Sequence, residues 1–360
     1  MTLEPLISLC MPCYNAGPYL AEAIEGILNQ SYPHLEIVIC DNGSTDDSVA
    51  IAQRYIKQDK RVRFYQNQWN LGFAGNVSKT TALAKGDFLL IHAADDIMLP
   101  GALQRFVDTI HQVGGDPQDL ILMTDYYVVN QQGERRSRVS LSADGQRHME
   151  IPLSAEGFTT IPIALLNGHD VLKYRFPRLI TLGWVGSIFF SRQLYDAIEG
   201  CYNNHWINPD KQIMFKLLSR NPRVVWLREA LFHYRVHDFS QNAQQAESGV
   251  LKYLLDQYAY TFEFDRDFYD HFSKGREAIV RLFVESDCLN TALREMAVGS
   301  RKLGFRHLCF GLATYPDIAL RSLKTYVALG LWLSGPLGRP LAAWLFRRRQ
   351  TRMLNSQQSE

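Results

Sequence analysis

Two adjacent carboxylates, Asp95 and Asp96, follow directly on the apolar run Asp87-Phe88-Leu89-Leu90-Ile91. A Mg2+ or Mn2+ ion that keeps several of its waters takes one or two protein carboxylates and fills its shell with substrate phosphate oxygens. Open α/β sheets hold such ligands beyond the carboxyl ends of their strands. The pair therefore points to a metal and a phosphate-bearing ligand, although an Asp-Asp dipeptide is also ordinary turn chemistry. His92 stands close by and reads as a packed strand-end histidine.

The elements that would position this pair come from the preceding ninety residues. Leu6–Met11 reads as a buried strand, Pro12 to Pro18 as a loop, and Tyr19–Asn29 as an amphipathic helix. Leu35–Cys40 repeats the strand and runs into the polar loop Asp41-Asn42-Gly43-Ser44-Thr45-Asp46-Asp47, where Asp46 or Thr45 offers a cap for a helix over Ser48–Lys57. Val62–Tyr65 supplies a third strand. Alternating strands and helices imply an α/β fold with a largely parallel sheet and a ligand crevice at one edge of it.

An ordered set of motifs then resembles a known family. Pro12-x-Tyr14-Asn15 follows the first strand and Asp41-Asn42-Gly43-Ser44-Thr45-Asp46 the second; Asn70-Leu71-Gly72 with Asn76 and then Ala94-Asp95-Asp96 come next. Further on stand Gly186–Arg192, Asn208-Pro209-Asp210, and His233-Tyr234-Arg235-Val236-His237 with Ser240. Together they cover roughly residues 5–240 in the order of the family 2 glycosyltransferases, which the chain resembles.

The resemblance implies a GT-A fold, Rossmann-like, in residues 1–240, a nucleotide-diphosphate sugar as donor, and inversion at the anomeric carbon. Pro12, Tyr14 and Asn15 fall on the first donor-binding loop. Asp41 corresponds to the carboxylate that accepts the base's ring N–H, with an Asx-turn as the competing reading. Asn42 and Ser44 flank it as donor contacts or plain loop residues, and Gly72 either admits close backbone approach or serves the turn. Asn76 is read at the ligand or on a helix surface. The family's metal motif is Asp-x-Asp, but Ala93 stands where its first aspartate belongs. Asp95 is then the metal ligand, Asp96 a second ligand or its support, and Ala94 a donor-loop residue. Asp210, opening a helix at Lys211–Ser219, matches the general base that takes the acceptor's proton, against helix capping as the alternative. Arg235 and His237 are placed to reach the diphosphate on loop closure, or else form a solvated strand end.

Competing chemistries have little support. Cys10-Met11-Pro12-Cys13 is a lone CxxC without a second pair at metal-ligand spacing. No GxGxxG, GxxxxGK[ST] or Gly-x-Ser-x-Gly appears, which argues against dinucleotide enzymes, P-loop nucleotidases and α/β-hydrolases. A GT-A-fold nucleotidyltransferase would need a Gly-rich, Lys-bearing N-terminal loop that is absent, and a non-catalytic binding or assembly subunit is hinted at by Ala93 alone.

Composition and charge complete the expectation. With 46% hydrophobic and 21% charged residues in 360, the chain can bury one sizeable core in residues 1–240 and carry a helical extension over 241–315. Six cysteines and no visible signal peptide point to the cytoplasm. Residues 130–168 read as a hairpin turn at Gln131–Glu134, then a long polar excursion from Ser140 to Gly157. In the resembled family this region faces the acceptor, a saccharide or lipid-linked saccharide. Residues 301–360 hold ten Lys or Arg against two acidic residues, while the preceding 300 carry a net charge of −7. Over 316–360, apolar and aromatic residues lie beside Arg347-Arg348-Arg349 in runs shorter than the roughly 18–20 residues of a membrane span. The tail thus reads as a peripheral anchor on the cytoplasmic face of a membrane. A nucleic-acid partner is not expected, since no recognised module accompanies the basic tail.

Overall fold

Unbroken apolar runs bounded by polar loops set the first half of the architecture. β1 (Ile7–Cys13), α1 (Gly17–Leu28), β2 (Leu35–Asp41), α2 (Ser48–Gln58), β3 (Val62–Gln66), α3 (Gly72–Leu83) and β4 (Phe88–Ile91) alternate along the chain. β2 and β4 are buried at every residue and β1 at all but Pro12, as strands covered by helices on both faces require. The computed structural model describes residues 4–141, 148–152, 163–178, 184–200, 209–237, 250–335 and 340. Two compact units result, Met1–Ser240 and Gln241–Glu360.

The first unit continues with β5 (Ile97–Met98), α4 (Ala102–Val113), β6 (Leu120–Val129), β7 (Arg135–Leu141), β8 (His148–Pro152), β9 (Ile163–Asn167), α5 (Gly168–Arg175), β10 (Ile188–Ser191), α6 (Arg192–Asp196), α7 (Asp210–Ser219) and β11 (Arg223–Arg235). The described strands join one mixed sheet whose main path is β3-β2-β1-β4-β10-β6-β11-β5, with β9 antiparallel to β11 off that path. β1 to β4 are mutually parallel, β10 runs antiparallel between β4 and β6, and β6 and β11 are parallel. β7 and β8 extend from β6 as an antiparallel ribbon. The expected hairpin turn is present, with Gly133 at φ 84°. The expected polar excursion is partly strand: Ser140 lies in β7 and His148–Pro152 form β8, while 142–147 and 153–157 fall outside the described residues.

The core lies between the sheet and α1 and α4. Phe106 of α4 stacks on Phe189 of β10 at 4.1 Å between centroids and meets Phe88 edge-on at 5.2 Å. That contact seats the short antiparallel β10 against β4. On the other side of the sheet, Glu36 holds three segments together. Its carboxylate accepts from Ser8 Oγ at 2.6 Å, the Lys85 main-chain N–H at 2.5 Å and Arg63 Nη1 at 2.7 Å.

The second unit is helical: α8 (Val250–Ala259), α9 (Arg266–Phe272), α10 (Arg276–Leu282), a π-helical stretch Phe283–Asn290, α11 (Thr291–Val298), α12 (Arg301–Thr314), α13 (Pro316–Arg321) and α14 (Leu323–Leu333). Phe283, Cys288, Ala292, Met296 and Leu308 anchor its core. α12 approaches closely because Gly304 has no Cβ; one there would lie 2.7 Å from the Ala292 carbonyl oxygen. α13 and α14, read from the sequence as the start of a separate tail, share this core through Ala319 and Ala328. No helix among the described residues is long and apolar enough to cross a membrane. The rest of the tail, 336–339 and 341–360, lies outside them.

Burial raises the Glu36 pKa, but the bonds from Ser8, Lys85 and Arg63 outweigh it and hold the carboxyl below its ordinary value. A depressed folded-state pKa contributes stability that is present above the unfolded value and lost as pH falls through the folded one. Glu36→Gln is therefore expected to cost about 1–3 kcal/mol at neutral pH. Urea denaturation at stepped pH should show that gap narrowing below about pH 4; a gap independent of pH would refute the assignment.

Candidate functional site

Loops at the carboxyl ends of β1 and β2 are stitched to each other by side chains. Asn15, at φ 50°, accepts the Thr45 main-chain N–H at 2.8 Å through Oδ1, and its own N–H goes to Ser44 Oγ at 2.9 Å. Asp46 clamps the starts of two helices: Oδ2 accepts the Gly17 N–H at 2.8 Å, and Oδ1 accepts the Ser48 N–H at 3.0 Å and its hydroxyl at 2.6 Å. A Cβ on Gly17 would stand 2.9 Å from that carboxylate, so the glycine makes the contact possible. Asp46 thus serves the α2 start as expected, although Asp47 occupies the N-cap position. Pro12 pairs with Cys40 within the sheet, and Tyr14 projects into solvent beside the loop.

Asp41, fully buried at the end of β2, divides its carboxylate between two situations. Oδ2 accepts the Gly43 and Ser44 N–H groups at 3.2 Å each, closing an Asx-turn, and Oδ1 is buried without a partner among the described residues. Asn42 and Asn76 are both buried and act as internal braces. Asn42 donates to Asn70 Oδ1 and the Gly72 carbonyl and accepts from Asn67 Nδ2 and the Leu71 N–H, all within 3.1 Å. Asn76 is buried and so not on the helix surface: it donates to the Cys40 carbonyl at 2.9 Å and accepts from Asn67 Nδ2 at 3.0 Å. Gly72 takes φ 72°, a conformation that favours glycine, with open space where its Cβ would point.

A second cluster forms where the β4 loop meets the end of β11. Asp95, with its side chain 27% exposed, accepts through Oδ2 from His237 Nε2 at 2.9 Å. Asp96 is buried; its Oδ1 accepts the Arg235 main-chain N–H at 2.7 Å, and its Oδ2 has no partner among the described residues. Burial, then the neighbouring Asp95 charge, pushes the Asp96 carboxyl well above its ordinary range despite Arg235. The Arg235 guanidinium, expected to reach a diphosphate, is 3% exposed and already engaged. It donates to the Asp95 carbonyl at 2.9 Å, the Gln131 carbonyl at 2.8 Å and Glu22 Oε2 at 2.6 Å. Tyr19 of α1 lies under both the Arg235 fork, at 4.9 Å, and the His237 ring, at 4.7 Å. Ala94 packs its methyl group in the hydrophobic core.

Asp210 stands in the first turn of α7, behind Pro209 at the N-cap, and no side-chain capping bond is made there. Its Oδ1 is buried and unpartnered among the described residues, and burial raises its pKa. Among those residues it bonds to neither cluster, whereas α1 touches both, through Gly17 and through Tyr19 and Glu22. His92 is fully buried, with Nδ1 against the Ala93 carbonyl at 2.8 Å, and desolvation lowers its pKa to about 4, so it is a neutral packed ring. Burial also pushes up both thiols of the CxxC, Cys13 to about 12, which leaves them far from the thiolate that metal binding or redox exchange needs.

Asp95 and Asp96 fit the small protein share of a water-rich divalent site, one partly exposed carboxylate beside one with an unpartnered buried oxygen. Three residues that hold the clusters went unread in the sequence. Asn67 and Glu22 lack any distinguishing local pattern, and Gln131 acts through its main-chain carbonyl.

Residues 8–154 match the model described as glycosyl transferase family 2. Glycosyltransferase GlyG of Streptococcus pneumoniae is 34% identical over 125 residues, 35% of this chain and 40% of that protein. The chain spans 32–40% of the length of three curated glycosyltransferase relatives that it matches. Among solved structures, TarS 1–349 of S. aureus in complex with UDP-GlcNAc superposes with a TM-score of 0.61 at 13% identity, covering 95% of this chain and 91% of that one. The mannosyltransferase PcManGT of Pyrobaculum calidifontis, in complex with GDP-Man and Mn2+, gives 0.52 at 16%, covering 96% and 87%. The fold is thus of the GT-A type with a helical C-terminal part.

If Arg235 is the tie between segments, Arg235→Met removes the donor to two main-chain carbonyls and to Glu22 from a buried position, and is expected to lower stability by about 1–3 kcal/mol in urea denaturation. Glu22→Gln, altering a carboxylate whose side chain is 56% exposed, should cost less than about 1 kcal/mol. Equal effects of the two would contradict this division of roles.

Proposed function

We propose, on the premise that residues 8–154 are a family 2 glycosyltransferase domain and the protein a glycosyltransferase, that it moves a sugar from a nucleotide-diphosphate donor to a hydroxyl of a saccharide or lipid-linked saccharide with inversion. The observation that carries this reading concerns unpaired carboxylates. Among the described residues, the buried carboxylate oxygens without a partner are Asp41 Oδ1, Asp96 Oδ2 and Asp210 Oδ1. Leaving such an atom unsatisfied costs about 1–3 kcal/mol or more, so three of them mark places where a ligand completes the bonding.

Each has a task in the transfer. Asp41 Oδ1 accepts the ring N–H of the base, while its other oxygen keeps the loop in shape. Asp95, backed by Asp96, holds a divalent cation, which when bound supplies charge neutralisation for the departing diphosphate. Asp210 takes the proton of the acceptor hydroxyl as that oxygen bonds to the anomeric carbon and the carbon–oxygen bond to the diphosphate breaks. A carboxylate whose pKa burial has raised is a better base for this step than a solvated one. His237, bonded to Asp95, fixes the orientation of that carboxylate. Mn2+ in the mannosyltransferase complex and UDP-GlcNAc in the TarS complex support the metal and donor classes. The charge excess of residues 301–360 supports an acceptor met at the inner face of a membrane.

Calorimetric titration with nucleoside diphosphates and nucleotide sugars, with and without Mn2+, is expected to show metal-enhanced binding of one nucleotide. Asp95→Ala should remove the enhancement. Asp210→Asn should keep donor binding and lower transfer by about a hundredfold or more; normal turnover by this variant would reject its role as base.

A further inference from the structure

α14 is largely apolar, yet the described residues of the second unit pack only one of its sides. Lys324 is the one charged residue in the helix, and it is paired with Glu285. The inner side buries Thr325 and Ala328 completely and stacks Trp332 on Phe305 at 4.2 Å between centroids. The outer side leaves Leu323 76%, Tyr326 55%, Val327 39% and Leu333 74% exposed. At 3.6 residues per turn these four fall within an arc of about 120°. Leu320 of α13, 50% exposed, extends the stripe beyond the helix start. Single exposed apolar residues are ordinary, but a continuous stripe marks a surface that something covers, and a helix apolar all round is normally buried all round.

Charge indicates the cover. The last 60 residues carry ten Lys or Arg against two acidic residues, whereas the first 300 carry 28 against 35. Arg321 lies exposed at the entry to α14. An apolar stripe in a cationic segment complements a surface that is apolar just beneath a layer of negative charge. Eleven residues of helix measure roughly 16 Å, about half the hydrocarbon thickness of a bilayer, so the helix fits in the plane of the interface and not across it.

We propose that the outer face of α14, formed by Leu323, Tyr326, Val327 and Leu333, docks the protein on an anionic phospholipid bilayer. The anchor is then a surface of the folded helical unit, and the inference stands whatever donor the first unit uses. The test is flotation of the purified full-length chain with vesicles of phosphatidylcholine alone or mixed with phosphatidylglycerol. The chain should float with the mixed vesicles and not with the neutral ones. The variant Leu323→Ser/Tyr326→Ser/Leu333→Ser should float about tenfold less or lower, with an unchanged melting temperature. If that variant fails to fold, the single Leu333→Glu, at the last helical turn, should show the same direction of loss. Unchanged flotation of a folded variant would assign lipid contact to residues beyond 335 and overturn the proposal. So would light scattering that finds a wild-type dimer and a variant monomer, since a second copy would then cover the face, and so would a wild-type chain that never floats.

Discussion

The geometry of the site depends on one buried cation. Arg235 ends β11 and reaches three segments: the β4 loop through the Asp95 carbonyl, the β6–β7 turn through Gln131, and α1 through Glu22. Its main-chain N–H also holds Asp96. A guanidinium has donors on three nitrogens in one plane and stays charged when buried, so it can bridge acceptors on different segments where an ammonium would serve only as a compact point charge. Because each of its acceptors belongs to a different element, the carboxylates of the β4 loop are positioned by the tertiary fold and not by local turn preference.

The opposite arrangement holds at β1 and β2. There the loops are fixed by the amides of Asn42, Asn67 and Asn76, chained beneath the surface, and above them by Asn15 with Ser44 and by the Asp46 carboxylate at Gly17 and Ser48. Such a network leaves the remaining oxygen of Asp41 as the one unspent acceptor of its carboxylate.

The sequence made β1, β2 and β4 legible because strands buried on both faces are nearly unbroken apolar runs, and the carboxylates were legible because they stand where those runs stop. β10 was not. Four residues, Ile188–Ser191, pair with strands about seventy and a hundred residues earlier, and nothing in their local pattern specifies antiparallel insertion between β4 and β6. The burial of Asn76 was hidden for a related reason: a polar side chain in a helix gives no sign that two strand ends will offer it buried carbonyl partners. Arg235 was read for its charge, whereas two of its acceptors are main-chain carbonyls, which carry no sequence signature.

Similar reasoning separates the two apolar faces of α14. The pattern Leu323–Leu333 has apolar residues at every angle, so periodicity alone predicts burial without saying against what. The structure resolves half of that ambiguity by packing Ala328 and Trp332 against the helices before it. The other half rests on charge, because an uncharged partner protein would gain nothing from the cations concentrated in residues 301–360, while an anionic surface gains from each of them. Apolar insertion and charge attraction then reinforce one another: the first weakens little with salt and the second strongly. A partner held by both should retain part of its binding when salt rises and lose most of it when the stripe is made polar.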